Sequence, residues 1–322
     1  MVLATSASLS TRDMYTAARR GIAVRLLAIE LCASMGCSMT HLSADLAGSM
    51  AVESMPHMRG FWDYEIAGQG NAAGIMQLES MHSLSADNPQ LSLTLCASYV
   101  GYAFGWVEVA AQRAEAAGDY DRATRQTRRA ELLYRRARDL ALGVMRSRDS
   151  GIDAALKAKP EQLAAYLDNH YRDPEDVAPV FWVSAAWGAM LGASEDIAAA
   201  IDLPVIVTMV KHAAKLDERY EGAGALVFLG GFNSAYPAEF GGSPAKGKEY
   251  FERALQVTGR RAHQVQLNYA RTYAVTVRDK ALFLSLLNEI LEPEDEGNEF
   301  RLANKIARVR AEQLLSNVDR LF

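Results

Sequence analysis

Residues 91–146 read LSLTLCASYVGYAFGWVEVAAQRAEAAGDYDRATRQTRRAELLYRRARDLALGVMR, and this stretch decides the fold class. Through Ala117 the apolar residues recur at three- and four-residue spacing and never sustain a period of two, so one long helix is predicted. Gly101 and Gly105 are small interruptions within it, and Gly118-Asp119 ends it as a C-terminal glycine does. From Asp121 to Arg146 the pattern returns, with Leu132, Leu133, Leu140 and Leu142 inside and the charged side chains facing solvent. Two helices joined by so short a turn form an antiparallel hairpin.

The same period extends outward in both directions. Upstream, a helix is predicted from Ala72 to Leu84, stopped by Ala86-Asp87-Asn88-Pro89. Gly68-Gln69-Gly70-x3-Gly74 reads as a loop before that helix, because no β-α-β context makes it a dinucleotide fingerprint. Downstream, helices are predicted over Pro160 to Asn169, Val177 to Leu191, Ser194 to Ile201, Pro204 to Tyr220 and Ala223 to Tyr236. Proline at the start of several of these suits the first helical turn. Beyond the Gly- and Pro-rich loop Pro237 to Pro244 follow Ala245 to Thr258, Ala262 to Val277, Asp279 to Leu291 and Glu299 to Leu321. No linker divides the chain, so residues 37–322 read as a single all-α domain.

A small-bulky-small pattern occurs three times, as Ala130-x3-Tyr134-x2-Ala137, Ile206-x3-Val210-x2-Ala213 and Gly247-x3-Phe251-x2-Ala254. Each triplet lies on one helical face, which is the packing requirement of the second helix of a tetratricopeptide repeat. The spacing between copies is irregular. The expected architecture is an α-α superhelix or solenoid of degenerate TPR-like hairpins, closing around a central groove or pore in one version; a generic helical bundle remains the other.

Composition excludes several functions. Half of the 322 residues are apolar and 23% are charged, which gives a packed globular chain. The net charge of -5 leaves no basic field for nucleic acid or anionic lipid. Cys32, Cys37 and Cys96 form no C-x-x-C pair, and the six histidines show no H-E-x-x-H or i, i+4 pairing, so neither a zinc site nor any other metal or cofactor is expected. No nucleophile-base pair or carboxylate dyad can be read either, which argues against an enzyme.

The N-terminus carries Arg19, Arg20 and Arg25, then Leu26-Leu27-Ala28-Ile29, and reaches Ser34-Met35-Gly36-Cys37. That order has the form of a lipoprotein signal over residues 1–36 with Cys37 as the lipidated residue. Glu30 within the apolar region fits an ordinary amphipathic helix instead, and both readings stand. No further run of about 18 apolar residues is seen, so the membrane is reached only through a lipid anchor.

Several blocks, taken in order, resemble one family. They are Asn88-Pro89-Gln90-Leu91, Tyr99-x2-Tyr102-Ala103-Phe104-Gly105-Trp106-Val107-Glu108 and Arg129-Ala130-x3-Tyr134-x2-Ala137-Arg138-Asp139. Next stand Val180-Phe181-Trp182-x3-Ala186-Trp187-Gly188, Leu203-Pro204 and Lys215-Leu216-Asp217. Phe240-Gly241-Gly242-Ser243-Pro244, Tyr250-Phe251-Glu252-Arg253-Ala254-Leu255, Arg301-Leu302-Ala303-Asn304-x-Ile306-Ala307 and Asp319-Arg320-Leu321-Phe322 complete the order. Together they are similar to the T component of TRAP transporters, a family of helical-repeat lipoproteins, from about residue 37 to the C-terminus. The resemblance implies a non-enzymatic protein of the periplasm, anchored through Cys37. It implies a helical array around a groove or pore, a small organic or lipophilic ligand, and self-association, with a trimer as the expected form. It also implies docking to the periplasmic solute-binding protein of a tripartite carrier.

Tyr99, Tyr102 and Trp106 share one helix face, with Glu108 following. Such a stripe reads as a buried seam or as the lining of a ligand groove with Glu108 as its polar anchor. Trp182 and Trp187 carry the same two readings. The arginine run from Arg125 to Arg138 reads as a solvated face held by i, i+4 pairs, or as a dock for an acidic partner. Against the ligand-carrying role stands a TPR-type scaffold at the cell envelope that binds only protein.

Overall fold

The computed structural model describes residues 45–46, 48–50, 52–194, 197–293 and 297–322. Cys37 and the signal-like segment lie outside the described residues. Among the described residues every regular element is helical.

A helical segment at 52–59 leads to α1 (Tyr64–Leu84), which Asp63 caps by accepting from the Ile66 N–H at 2.8 Å. Gly68, Gly70 and Gly74 therefore lie inside a helix, not in the loop predicted before it. The cap at Asp63 starts the helix early, and Gly68 is small for a packing reason. A Cβ there would stand 2.3 Å from Trp106 Nε1. Helix α2 (Pro89–Ala116) starts on the Asn88 cap, with Pro89 in its first turn, and is π-helical over Ala103–Val107. Gly118, at φ 77°, closes it. Asp119 then caps α3 (Tyr120–Arg148), completing the hairpin read from the sequence.

One turn (α4, Ile152–Ala155) and α5 (Pro160–His170) lead to α6 (Val177–Ala193). The helix predicted from Ser194 to Ile201 is a 3-10 segment, Ile197–Asp202, ending where Leu203-Pro204 open α7 (Leu203–Leu216). Proline fixes the start of α7 and leaves the preceding residues only a tight connector. The remaining elements are α8 (Tyr220–Ala235), α9 (Pro244–Val257), α10 (Gln264–Asn268, continuing as a π turn over Tyr269–Ala274), α11 (Lys280–Leu291), α12 (Arg301–Ser316) and α13 (Val318–Leu321).

Neighbouring helices pair as hairpins: α2 with α3, α6 with α7, and α8 with α9, while α3 also packs along α6. All three small-bulky-small triplets are buried in these seams. The third shows the reason for its shape: a Cβ on Gly247 would stand 2.3 Å from Ser234 Oγ, and one on Gly230 2.9 Å from the Phe251 ring. Helices α8 and α9 approach this closely only because both faces are notched. One core joins α2, α3, α5, α6 and α7, and a second joins α8 to α12. The predicted charged face on α3 is held by Glu131, which accepts from Arg128 and from Arg135.

Two helical stretches, Pro89–Ala116 and Pro174–Ala193, are apolar and long enough by composition to cross a membrane, a feature the sequence reading did not anticipate. Less than half of the apolar window in the first and half of that in the second is buried inside the fold. Leu91, Leu95, Ala103, Val180 and Val183 are fully buried, and Val100, Phe104, Trp106, Phe181 and Trp182 line the cavity described below.

Candidate ligand cavity

Helix α1 packs against α12, from near the two ends of the described helices, and beside this contact lies a half-open cavity of about 860 Å³. That volume falls in the range of small-molecule sites. Its wall comes from Met50, residues 54–59, the start of α8, and α1, α2, α6, α10 and α12. Apolar groups dominate: Met55, Met58, Met81, Phe104, Trp106, Phe181, Trp182 and Ile306. Gln77, Ser98, Gln264 and Asn268 add polar points that can orient a ligand.

Trp106 is held in place on α2 by the residues that start α1. Its indole Nε1 donates to the Tyr64 carbonyl at 3.2 Å, and its ring stacks on Tyr64 at 5.2 Å between centroids. The Tyr64 hydroxyl donates to the Gly105 carbonyl at 2.6 Å, inside the π-helical stretch, and burial pushes that phenol up to about 12. Trp182 is fixed from the opposite side. Its Nε1 donates to the Tyr220 hydroxyl at 3.1 Å, and Phe181 meets both rings edge-on. Gly224 must be small here, since a Cβ would lie 2.6 Å from the Phe181 ring.

Two charged residues reach the cavity and pair with each other. Arg59 Nη2 and Glu221 Oε1 stand 2.6 Å apart, tying the 52–59 segment to the start of α8. Glu221, Gly222 and Ala223 all have left-handed backbone, at φ 49°, 64° and 62°. Such a run costs about 1–2 kcal/mol for each residue with a Cβ, so surrounding structure has to hold it. The sequence reading placed a helix start at Ala223 and gave no sign of the turn.

Of the six residues singled out from the sequence, Trp106 and Trp182 border the cavity. The other four stand apart from it. The Tyr99 hydroxyl donates to Glu79 Oε1 at 2.7 Å, and Tyr102 lies beneath the Arg129 guanidinium at 5.5 Å. The Trp187 indole donates to Asp202 Oδ2 at 3.2 Å with Arg138 over its ring. Glu108 accepts from the Tyr134 hydroxyl at 2.6 Å and from Arg310 Nη1 at 3.0 Å, behind the cavity wall. Cys96 is buried against α3 and α6, and burial pushes its thiol well above the ordinary value.

Sequence reasoning missed Met55, Met58, Arg59, Glu221, Gln264, Asn268 and Ile306. A signal existed for the first two, because Met50-x4-Met55-x2-Met58 places flexible thioethers on successive helical turns, a composition suited to adaptable binding surfaces. For Glu221 and the residues of α10 and α12 no local signal exists. Comparison with curated proteins finds none that matches the chain. The TRAP transporter T-component family matches residues 62–322, from the start of α1 to the last residue, and the chain belongs to that family.

Proposed function

We propose that this component of a TRAP transporter is a non-catalytic, periplasm-facing lipoprotein that holds a small organic or lipophilic ligand and docks the periplasmic solute-binding protein of its system. The observation that carries the reading is the cavity: about 860 Å³ of mainly apolar space, walled by both ends of the helical array. Methionines and indoles give contact without directional demands, and a few amides set orientation. The helices that enclose it form a TPR-like array of degenerate hairpins. The anchor is a lipid on Cys37, and the working state is a homo-oligomer, with a trimer as the expected form.

Native mass spectrometry of the full chain carrying Cys37→Ser tests this, because the variant blocks lipid attachment and removes the need for detergent. Spectra are compared before and after denaturing extraction. A small molecule released from a defined oligomer supports the ligand-carrying role and names the ligand's class. A protein that is empty, and that takes up none of a panel of organic acids and lipids, is instead a docking scaffold at the cell envelope.

A further inference from the structure

The cavity is large, yet its wall offers a ligand no unmatched charge. Of the side chains that line it only Arg59 and Glu221 are charged, and they stand 2.6 Å apart and cancel. Both indoles spend their donors on the protein, Trp106 Nε1 on the Tyr64 carbonyl and Trp182 Nε1 on the Tyr220 hydroxyl. Ser98 donates to the Thr94 carbonyl at 2.9 Å, and Asn268 Nδ2 to the Gln264 carbonyl at 2.7 Å. Among the described residues the side chains of Asn71, Gln77 and Thr94 make no hydrogen bond, so the groups left for a ligand are neutral amides and a hydroxyl. A carboxylate or an ammonium entering this space gives up hydration and meets no opposite charge in return. A hydroxyl or carbonyl loses far less and can be matched by an amide.

The wall also stays open where side chains would fit. On α1, Ala67, Asn71, Gly74, Leu78 and Met81 follow one another at alternating four- and three-residue spacing, so they share one face, and all of them line the cavity. On α2, Thr94, Ala97, Gly101 and Phe104 do the same. Gly74 lies in the middle of the first face and Gly101 within the second, so a side chain at either would project where its lining neighbours do. A Cβ at either position would meet no atom within 4 Å. Gly68 and Gly105 on the same helices are different, since a Cβ there would stand 2.3 Å from Trp106 Nε1 and 2.9 Å from Ile306 Cδ1. Helix packing thus requires glycine at 68 and 105 and not at 74 and 101. A glycine inside a helix costs about 0.5–1 kcal/mol relative to alanine, and at Gly74 and Gly101 the space it leaves is the cavity's own.

We propose that the cavity takes an uncharged lipophile, an apolar molecule bearing at most hydroxyl or carbonyl groups, and that Gly74 and Gly101 hold open the part of the cavity its body fills. This inference rests on the ligand-carrying reading above and adds to it the ligand's charge and the place of its body.

The test titrates the full chain carrying Cys37→Ser by calorimetry with decanol, decanoate and decyltrimethylammonium, each below its micelle concentration, at about pH 8 where the carboxylate is ionised. Decanol is expected to bind at least about tenfold more tightly than either ion. Gly74→Leu and Gly101→Leu should each weaken decanol binding at least about tenfold and leave the unfolding midpoint unchanged or higher, because leucine occupies open space and favours helix. Decanoate or decyltrimethylammonium binding as tightly as decanol overturns the uncharged ligand but leaves ligand carriage standing. Decanol affinity within about twofold of the unsubstituted protein in both glycine variants overturns the placement at Gly74 and Gly101. Binding of none of the probes removes this inference and the reading it rests on together. Should one glycine variant fail to fold, the other decides the placement, and the decanol-to-decanoate ratio of the unsubstituted cavity decides the charge.

Discussion

The guanidinium of Arg310 donates to the carbonyl of Phe104 at 2.7 Å across 206 positions of chain. This bond joins α12 to the π-helical stretch of α2 beside the cavity that Phe104 lines. The same Nη1 serves Glu108 at 3.0 Å, and the guanidinium covers the Phe104 ring. Three interactions of one nearly buried side chain therefore hold the C-terminal helix in place.

Arg310→Met should accordingly destabilise the fold by about 3 kcal/mol, because it strands a half-buried carboxylate and a carbonyl. Adding Glu108→Gln restores neutrality and still offers Tyr134 an acceptor, so the double variant should recover about 1 kcal/mol or more. Denaturant unfolding of the two variants measures both values. If the double variant is no more stable than Arg310→Met, lost packing and not stranded charge explains the effect.

Gly68, Gly70 and Gly74 make a matched set on α1. A Cβ on Gly68 meets the Trp106 indole at 2.3 Å, whereas one on Gly70 or Gly74 meets nothing within 4 Å. Gly68→Ala should cost about 1–3 kcal/mol through overpacking and break the Trp106 to Tyr64 hydrogen bond. Gly74→Ala should stabilise by about 0.5–1 kcal/mol from helix propensity alone. Thermal unfolding gives the signs, and a shift in tryptophan emission for Gly68→Ala alone would locate the cause at Trp106.

These glycines also show what a sequence can and cannot disclose. Helix positions were legible wherever caps are local: Asn88-Pro89 opens α2, Gly118 closes it, and Asp279 caps α11. Gly68 was opaque because its partner lies 38 positions on, against Trp106 in the next helix. The aromatic stripe of α2 was read as one unit, yet the π-helical stretch and separate polar partners divide it. Trp106 turns to the cavity while Tyr99 is tied to Glu79. Faces follow from periodicity, but facing partners are set by tertiary contacts between distant segments.

The bond from Tyr99 belongs to a cluster whose pH dependence can be worked out. Arg136 donates from Nε and Nη2 to the two oxygens of Glu79, at 2.8 and 2.7 Å, and Tyr99 adds a third bond. The Arg136 bonds above all hold the Glu79 carboxyl below its ordinary value, while burial pushes the Tyr99 phenol up to about 12. A carboxyl whose value is lower folded than unfolded stabilises the fold above its unfolded value, about 4.3, and loses that contribution as pH falls through the folded one. Glu79→Gln should therefore cost about 1 kcal/mol at pH 7, limited by solvent screening of the partly exposed Arg136. The difference from the unsubstituted protein should shrink steadily below about pH 4. A difference independent of pH would show that the amide fails for reasons of shape and not of charge.

The pair Arg59 and Glu221 spans 162 positions and anchors the methionine-bearing segment over the cavity. Arg59 is 51% exposed and Glu221 21%, so the ion pair itself contributes under about 1 kcal/mol to global stability. Its effect should be local. Arg59→Gln is expected to leave the unfolding midpoint nearly unchanged while amides of 52–59 exchange faster, since that segment is held to α8 by this contact. Glu221→Gly separates the two roles of the turn. Glycine accepts φ 49° freely, so the variant should gain about 1 kcal/mol in stability while exchange at 52–59 rises as in Arg59→Gln. A strained residue kept where glycine is more stable marks a position retained for its side chain. If Glu221→Gly instead destabilises the protein and leaves exchange at 52–59 unchanged, the carboxylate does not hold that segment over the cavity.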